Sequence, residues 1–164
     1  METIVIVNPR AGNGKTEKIW PQIEPELEKS VGSFETAFTS FREDAIHLTR
    51  QALKNGIMKI IAVGGDGLVN EVLNGFIDDD VQLKPEASLS FLMTGTGCDF
   101  QRSVGISGDW KIAVANLKES KIRQIDVGKV IYTNSTQVKK VRYFINIASF
   151  GLSGAVDYSI ERNK

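Results

Sequence analysis

The feature that most limits how this 164-residue chain can fold is a regular alternation of apolar runs with segments of helical periodicity. The largely apolar runs at residues 3–7, 59–63 and 88–93 are typical of β-strands, and residues 34–39, which alternate modestly between apolar and polar, are a further strand candidate. Each is followed by a segment whose apolar residues recur at helical spacing. Strands that alternate with helices predict parallel β-α-β units. The expected fold class is therefore α/β, with a parallel sheet.

The loops that follow these strands are rich in glycine, hydroxyl and amide groups. Ligands of open α/β sheets bind beyond the carboxyl ends of the strands. We therefore expect the loops at Asn8, Thr39, Gly64 and Thr94 to gather at one edge of the sheet. Together they favour a nucleotide pocket more strongly than any one of them does alone.

The loop at Gly64 carries the clearest signal. Gly64, Gly65 and Gly67 surround Asp66 between a predicted strand and a predicted helix. Glycine accepts positive φ and lets the backbone approach a ligand closely. The N-terminus of the following helix favours a phosphate. This GGDG turn is predicted to bind phosphate; the alternative is a tight turn in which Asp66 serves only as an N-cap.

Two other patterns lie in the loops that follow the first and second predicted strands. Lys15 lies in a run that matches the end of a P-loop, but the first glycine of that motif falls on Pro9, which rejects a Walker-type site. Lys15 remains a candidate phosphate contact, with a solvated lysine as the alternative. Ser40 and Glu43 form a capping-box pattern, which predicts a helix from about residue 40 to residue 55, ended by Gly56.

Composition excludes several classes of protein. Twenty basic and twenty acidic residues cancel, which argues against a nucleic-acid partner. The single cysteine, Cys98, excludes an intrachain disulfide and a multi-cysteine metal site. The aspartates at residues 78–80 lack calcium-loop spacing, and the single histidine, His47, is remote from the glycine loops. No targeting signal and no run of about 20 apolar residues is present, so we expect a cytoplasmic protein.

Near Lys121 the pattern changes to a long hairpin, with strands predicted around a polar turn at residues 133–137. A glycine-rich turn at residues 149–154 follows. A hairpin cannot build a core alone. We expect a nucleotide domain over residues 1–122 and the incomplete beginning of a β-rich second domain over residues 123–164. Further chain would complete that domain, or a second copy would do so in a homodimer.

Four stretches, at residues 8–15, 64–76, 95–100 and 143–151, resemble the diacylglycerol kinase catalytic-domain family in the same order. That family includes bacterial lipid kinases and sphingosine kinases. The joint pattern is specific, although GGDG alone is shared with NAD kinases and phosphofructokinases. The resemblance implies a parallel-sheet nucleotide domain of the NAD kinase and diacylglycerol kinase type, followed by a β-sandwich domain.

The resemblance also implies a reaction, in which ATP with Mg²⁺ transfers its γ-phosphate to a hydroxyl of a lipid such as diacylglycerol or a sphingoid base. Such an enzyme would contact the membrane surface. By motif position, the nucleotide-binding residues would be Asn8, Thr39, Gly64, Gly65, Asp66, Gly67, Leu68, Val69, Asn70 and Thr96. No metal ligand is assigned, although Asp66 would orient the turn or the metal. The catalytic base is expected beyond Lys164, and the isolated chain is expected to be inactive.

Two positions depart from the family pattern. Cys98 stands where many relatives have asparagine, and Leu68 stands where many have threonine. Both departures bear on the acceptor more than on the nucleotide. Two alternatives stay open: a soluble-substrate kinase of the NAD kinase type, and a nucleotide-binding module without catalysis.

Overall fold

The computed structural model describes residues 2–95, 99–118 and 121–147. It divides into two compact units, Met1–Ile125 and Asp126–Lys164. The first unit contains, in chain order, β1 (Thr3–Val7), α1 (Ala11–Val31), β2 (Glu35–Phe38), α2 (Asp44–Lys54), β3 (Lys59–Gly64), α3 (Asp66–Phe76), β4 (Ile77–Asp78), β5 (Val81–Gln82), β6 (Ser88–Met93), α4 (Asp99–Ser103) and α5 (Trp110–Leu117). The second contains β7 (Gly128–Thr133) and β8 (Lys139–Phe144).

The first unit is built on a four-stranded sheet with the order β2-β1-β3-β6, in which every neighbouring pair is parallel. All five residues of β1 are buried, as are the last five of β3. A strand covered on both faces reads as a continuous apolar run, which is how these strands appear in the sequence. The α/β fold class with a parallel sheet is confirmed.

Helices cover both faces of this sheet. One core cluster joins alternate residues of the strands to α1 and α5 and contains Val5, Val7, Trp20, Ile23, Leu27, Ile61, Val63, Leu92, Ala113 and Val114. The intervening strand residues, such as Ile6 and Ile60, are also buried and point to the opposite face because strand side chains alternate. On that face α2 packs beside α3. The strands are thereby fixed with their carboxyl ends at one edge.

The two ends of α2 differ in how well the sequence predicts them. Gly56, at φ +84°, ends the helix in a Schellman motif: its N–H donates to Leu53 and the N–H of Ile57 donates to Ala52. The predicted capping box is wrong. The carboxylate of Asp44 accepts the backbone N–H of Ser40 at 2.8 Å, and the helix begins only at Asp44.

The regular part of the first helix begins only after residue 14. Residues 12–14 are all left-handed, at φ +61°, +56° and +80°, so the regular helix begins after them. Pro21 and Pro25 lie inside the helix, and its buried stripe includes Trp20, Ile23 and Leu27. The left-handed stretch gives the loop after β1 a fixed shape beside the sheet edge.

The aspartates at residues 78–80 form part of a small hairpin. Strands β4 and β5 pair antiparallel around Asp79 and Asp80, which have φ of +44° and +65°. Positive φ at both central residues is the pattern of a type I′ turn. Asp78 forms a salt bridge with Arg50 of α2 at 3.0 Å, which ties this hairpin to the helix.

The described part of the second unit is the predicted hairpin. Strands β7 and β8 pair antiparallel from Gly128 opposite Phe144 to Thr133 opposite Lys139. The side chain of Asn134 closes the turn by accepting the backbone N–H groups of Thr136 and Val138. The glycine-rich turn predicted at residues 149–154 lies outside the described residues.

Candidate functional site

The loops that follow the parallel strands meet at the carboxyl edge of the sheet. The backbone N–H of Asn8 donates to Val63 at 3.0 Å, and that of Thr39 donates to the last carbonyl of β1 at 2.9 Å. The N–H of Thr94 donates to Gly64 at 2.7 Å. These hydrogen bonds continue the strand ladders past the strand ends. They bring together all four loops that the sequence predicts to meet.

The GGDG turn leads directly from β3 into α3. Gly65 is the N-cap, in an extended conformation, and Asp66 is the first helical residue, so Asp66 is not the N-cap. The carbonyl of Gly65 accepts the N–H groups of Leu68 at 3.0 Å and Val69 at 3.2 Å. The N–H of Gly67 belongs to the first turn, where amides have no intrahelical acceptor. Such amides, at the positive end of the helix dipole, suit a phosphate.

Two glycines of this turn differ in the space around them. A Cβ built on Gly64 would lie 2.7 Å from Cδ2 of Leu68 and 3.3 Å from Cβ of Asn8. A side chain at position 64 would therefore displace Leu68 and crowd Asn8. A Cβ on Gly67 would meet nothing within 4 Å, so here the missing side chain leaves the backbone open to a ligand.

The loop after β6 packs against the other loops through its backbone. A Cβ built on Gly95 would lie 2.8 Å from Cα of Gly65. A Cβ built on Gly12 would lie 2.7 Å from the carbonyl oxygen of Thr94. The close packing holds three loops together around the start of α3.

The predicted site residues present different groups at this edge. Asn8 and Thr39 are half-buried, and Oδ1 of Asn8 accepts the backbone N–H of Arg10 at 3.0 Å. Leu68 and Val69 are only 4% and 2% exposed, so their side chains serve the core. The remaining described members, Gly64, Gly65, Asp66, Gly67 and Asn70, lie at or just after the end of β3. Thr96 lies outside the described residues.

Charged residues lie in the segments that follow β1, β2 and β3. Arg10 and Lys15 follow β1, Arg42 follows β2, and all three are exposed. Asp66 is a half-buried carboxylate in the first turn of α3. Cations around a helix N-terminus suit a polyphosphate. The described residues contain no group of three or more His, Cys, Asp or Glu side chains that could hold a metal ion.

Sequence reasoning missed three side chains that organise this edge. Oε1 of Glu71, on α3, accepts the backbone N–H of Glu43 at 3.0 Å, which ties the loop after β2 to the GGDG helix. Thr16 and Thr94 join through their hydroxyls. Each contact joins residues that are far apart in the chain, so no local sequence pattern predicts it.

Comparison with known proteins identifies the family. Residues 2–130 match the family described as the diacylglycerol kinase catalytic domain. The chain belongs to the diacylglycerol kinase catalytic-domain family. As a member, it shares 32% identity over 157 residues with a diacylglycerol kinase of Staphylococcus saprophyticus, covering 94% of this chain and 46% of that protein. It shares 31% identity over 157 residues with one of Bacillus subtilis, covering 95% of this chain and 48% of that protein.

Solved structures of this kinase family share the fold. A diacylglycerol kinase from Bacillus anthracis matches with a TM-score of 0.67 and 25% identity, covering 79% of this chain and 46% of that one. This chain spans about half the length of the curated relatives it matches. Among the helices in the described part of the chain, none combines the length and apolarity needed to cross a membrane.

Proposed function

We propose that this chain is the nucleotide-binding part of an ATP-dependent lipid kinase, which transfers the γ-phosphate of ATP to a lipid hydroxyl. The observation that carries the proposal is the meeting of four post-strand loops at one sheet edge in a member of the diacylglycerol kinase catalytic-domain family. The relatives with the same domain are named diacylglycerol kinases. Diacylglycerol or a sphingoid base is the proposed acceptor class.

The GGDG turn is the proposed phosphate site. Phosphoryl transfer depends mainly on positioning the phosphates and stabilising their charge. The open backbone at Gly67 can position a phosphate, and the dipole of α3 can stabilise its negative charge. Gly64 and Gly65 hold the turn in place, while Leu68, Val69 and Asn70 anchor the helix that points at the phosphates.

Asn8, Thr39 and Thr96 are proposed to line the rest of the nucleotide. Asn8 and Thr39 are half-buried at the ends of neighbouring strands. Hydroxyl and amide groups at such an edge can donate to and accept from a nucleotide. Lys15 and Arg10, both exposed on the same edge, would add positive charge near the phosphates.

Mg²⁺ is proposed to arrive with ATP. Magnesium sites in kinases use one or two carboxylates together with substrate phosphates, and most of their remaining ligands are waters. The described residues fit this pattern, since Asp66 supplies one carboxylate beside the turn. When bound, the ion would neutralise charge on the phosphates. Asp66 would orient the turn or hold the ion.

The acceptor half of the reaction is proposed to lie outside the described residues, in the part of the relatives that this chain does not span. A base there would take the proton of the lipid hydroxyl. The lipid would be met at a membrane surface. Completion of the second unit by another copy, in a homodimer, stays a prediction.

The test is a kinase assay of the full-length gene product with Mg·ATP and vesicles that contain diacylglycerol or a sphingoid base. NAD⁺ serves as the soluble acceptor in a parallel reaction. Phosphate transfer to a lipid supports the proposal. Transfer only to NAD⁺, or ATP binding without transfer to any acceptor, would contradict it.

A further inference from the structure

Two buried hydroxyls join the loop after β1 to the loop after β6. The Oγ1 atoms of Thr16 and Thr94, 78 positions apart in sequence, lie 2.5 Å from each other. The two residues are 0% and 4% exposed. A buried hydroxyl without a partner costs free energy, so the two groups satisfy each other where water does not reach.

The direction of these hydrogen bonds follows from counting protons. Oγ1 of Thr16 also lies 3.2 Å from the carbonyl oxygen of Ala11, which can only accept. A hydroxyl carries one proton, so both contacts are made when Thr16 donates to Ala11 and Thr94 donates to Thr16. The relay runs from the end of β6 to the carbonyl that directly precedes the left-handed residues 12–14.

Thr94 also contacts the remaining loops through its backbone. Its N–H donates to Gly64 at 2.7 Å. Its carbonyl oxygen packs closely against Gly12, since a Cβ built on Gly12 would lie only 2.7 Å from this oxygen. Thr94 is therefore the residue at which the loops after β1, β3 and β6 are connected, and only one of these connections depends on a side chain.

We propose that Thr16 and Thr94 are a pair of positioning residues that lock these three loops into one unit for binding the phosphates of the nucleotide. The inference rests on the proposed function. Both hydroxyl protons are used within the buried relay, so neither hydroxyl is free to donate a hydrogen bond to the nucleotide. Without the relay, only the packing of Gly12 against the Thr94 carbonyl would hold the loop after β1 to the loop after β6. The two loops would then be less firmly fixed to each other, and bound phosphates would have to order them.

The experiment removes one hydroxyl at a time from the full-length gene product. Thr94→Val and Thr16→Val keep the side-chain volume, while Thr94→Ser keeps the hydroxyl. Thr3→Val is the matched control, because Thr3 is a 4% exposed threonine at the opposite end of β1. The measurements are the Kd of Mg·ATP by calorimetry and the KM values for ATP and for the lipid.

We expect Thr94→Val to raise the Kd and KM for ATP by about five- to tenfold, the equivalent of one lost hydrogen bond. The lipid KM should stay the same. Thr94→Ser and Thr3→Val should behave as wild type, and a Thr16→Val/Thr94→Val double variant should be no worse than Thr16→Val alone. Wild-type ATP affinity in Thr94→Val would overturn the proposal, as would equal losses for ATP and lipid that Thr94→Ser fails to restore.

Amide hydrogen exchange without nucleotide separates this inference from the proposed function. Thr94→Val should speed exchange in both residues 11–16 and residues 93–95, while Thr3→Val should change neither segment. Faster exchange in residues 93–95 alone would show that the Thr16–Thr94 pair does not hold the two loops together. A wild-type protein that binds no ATP would overturn the proposed function and, with it, the role of the Thr16–Thr94 pair in phosphate binding.

Discussion

Gly95 and Gly65 pack backbone against backbone, since a Cβ built on Gly95 would lie 2.8 Å from Cα of Gly65. No real Cβ sits this close to a backbone atom, and the obstacle cannot rotate away as a side chain could. The turns after β3 and β6 are therefore held at a spacing that requires glycine at position 95. This contact makes the geometry of the GGDG turn depend on a second loop.

Gly95→Ala tests this contact. We expect it to cost about 1–3 kcal/mol of unfolding free energy, as overpacking does, and to weaken ATP binding because Gly65 is displaced. Gly108→Ala is the control, since a Cβ there meets nothing within 4 Å. Chemical denaturation and calorimetry with Mg·ATP measure the two effects. If the two variants have the same stability and the same ATP affinity, the backbone around Gly95 and Gly65 accommodates the extra methyl group without a loss of free energy.

Asp66→Ala should weaken binding of Mg·ATP by about tenfold or more if the carboxylate orients the turn or the ion, as proposed. The control is Asp109→Ala. Asp109 is the N-cap of α5 and accepts the N–H of Lys111 at 2.9 Å. Its loss should cost about 1 kcal/mol of stability and leave ATP affinity unchanged. If Asp66→Ala shows the same profile as Asp109→Ala, Asp66 has only a local structural role.

Glu71→Ala should loosen the loop after β2, which carries Thr39, by removing the acceptor for the N–H of Glu43. We expect the Kd for ATP to rise about threefold to tenfold, in line with one hydrogen bond. Glu71→Gln keeps an acceptor oxygen and should lose less. Glu26→Ala, at an exposed glutamate on α1, is the control. An unchanged Kd in Glu71→Ala would show that the position of this loop does not affect nucleotide binding.

Gly56→Ala should reduce stability without affecting the site. Gly56 has a φ of +84° and open space around its Cα, so the cost of alanine is conformational and about 1–2 kcal/mol. Gly56→Asn should lose less, because asparagine tolerates the left-handed region. Thermal melting gives the stability change, and calorimetry should give a wild-type Kd for ATP. A raised Kd would mean that the C-terminus of α2 is coupled to the sheet edge.

The sequence predicts the sheet and the meeting of its loops because both follow from short-range patterns. Buried parallel strands such as β1 and β3 are continuous apolar runs, and parallel topology then brings their carboxyl ends together. The end of α2 at the left-handed Gly56 can also be predicted from the sequence, because it depends on no contact with a distant residue.

Other features depend on competition or on distant contacts. The capping-box pattern at Ser40 fails because the carboxylate of Asp44 accepts the N–H of Ser40. The hydroxyl pair of Thr16 and Thr94 spans 78 positions, so no window of sequence contains both. The predicted contribution of Thr96 stays a prediction, because the residue lies outside the described part of the chain.

In the proposed site, the open amides of the GGDG turn, at the carboxyl edge of the parallel sheet, bind the phosphates of ATP. The most direct measurement is a crystal structure of the full-length gene product with Mg²⁺ and a non-hydrolysable ATP analogue. We expect phosphate oxygens within hydrogen-bonding distance of the Gly67 amide, with Asn8 and Thr39 beside the nucleotide. A nucleotide bound at any other edge of the sheet would contradict this proposal.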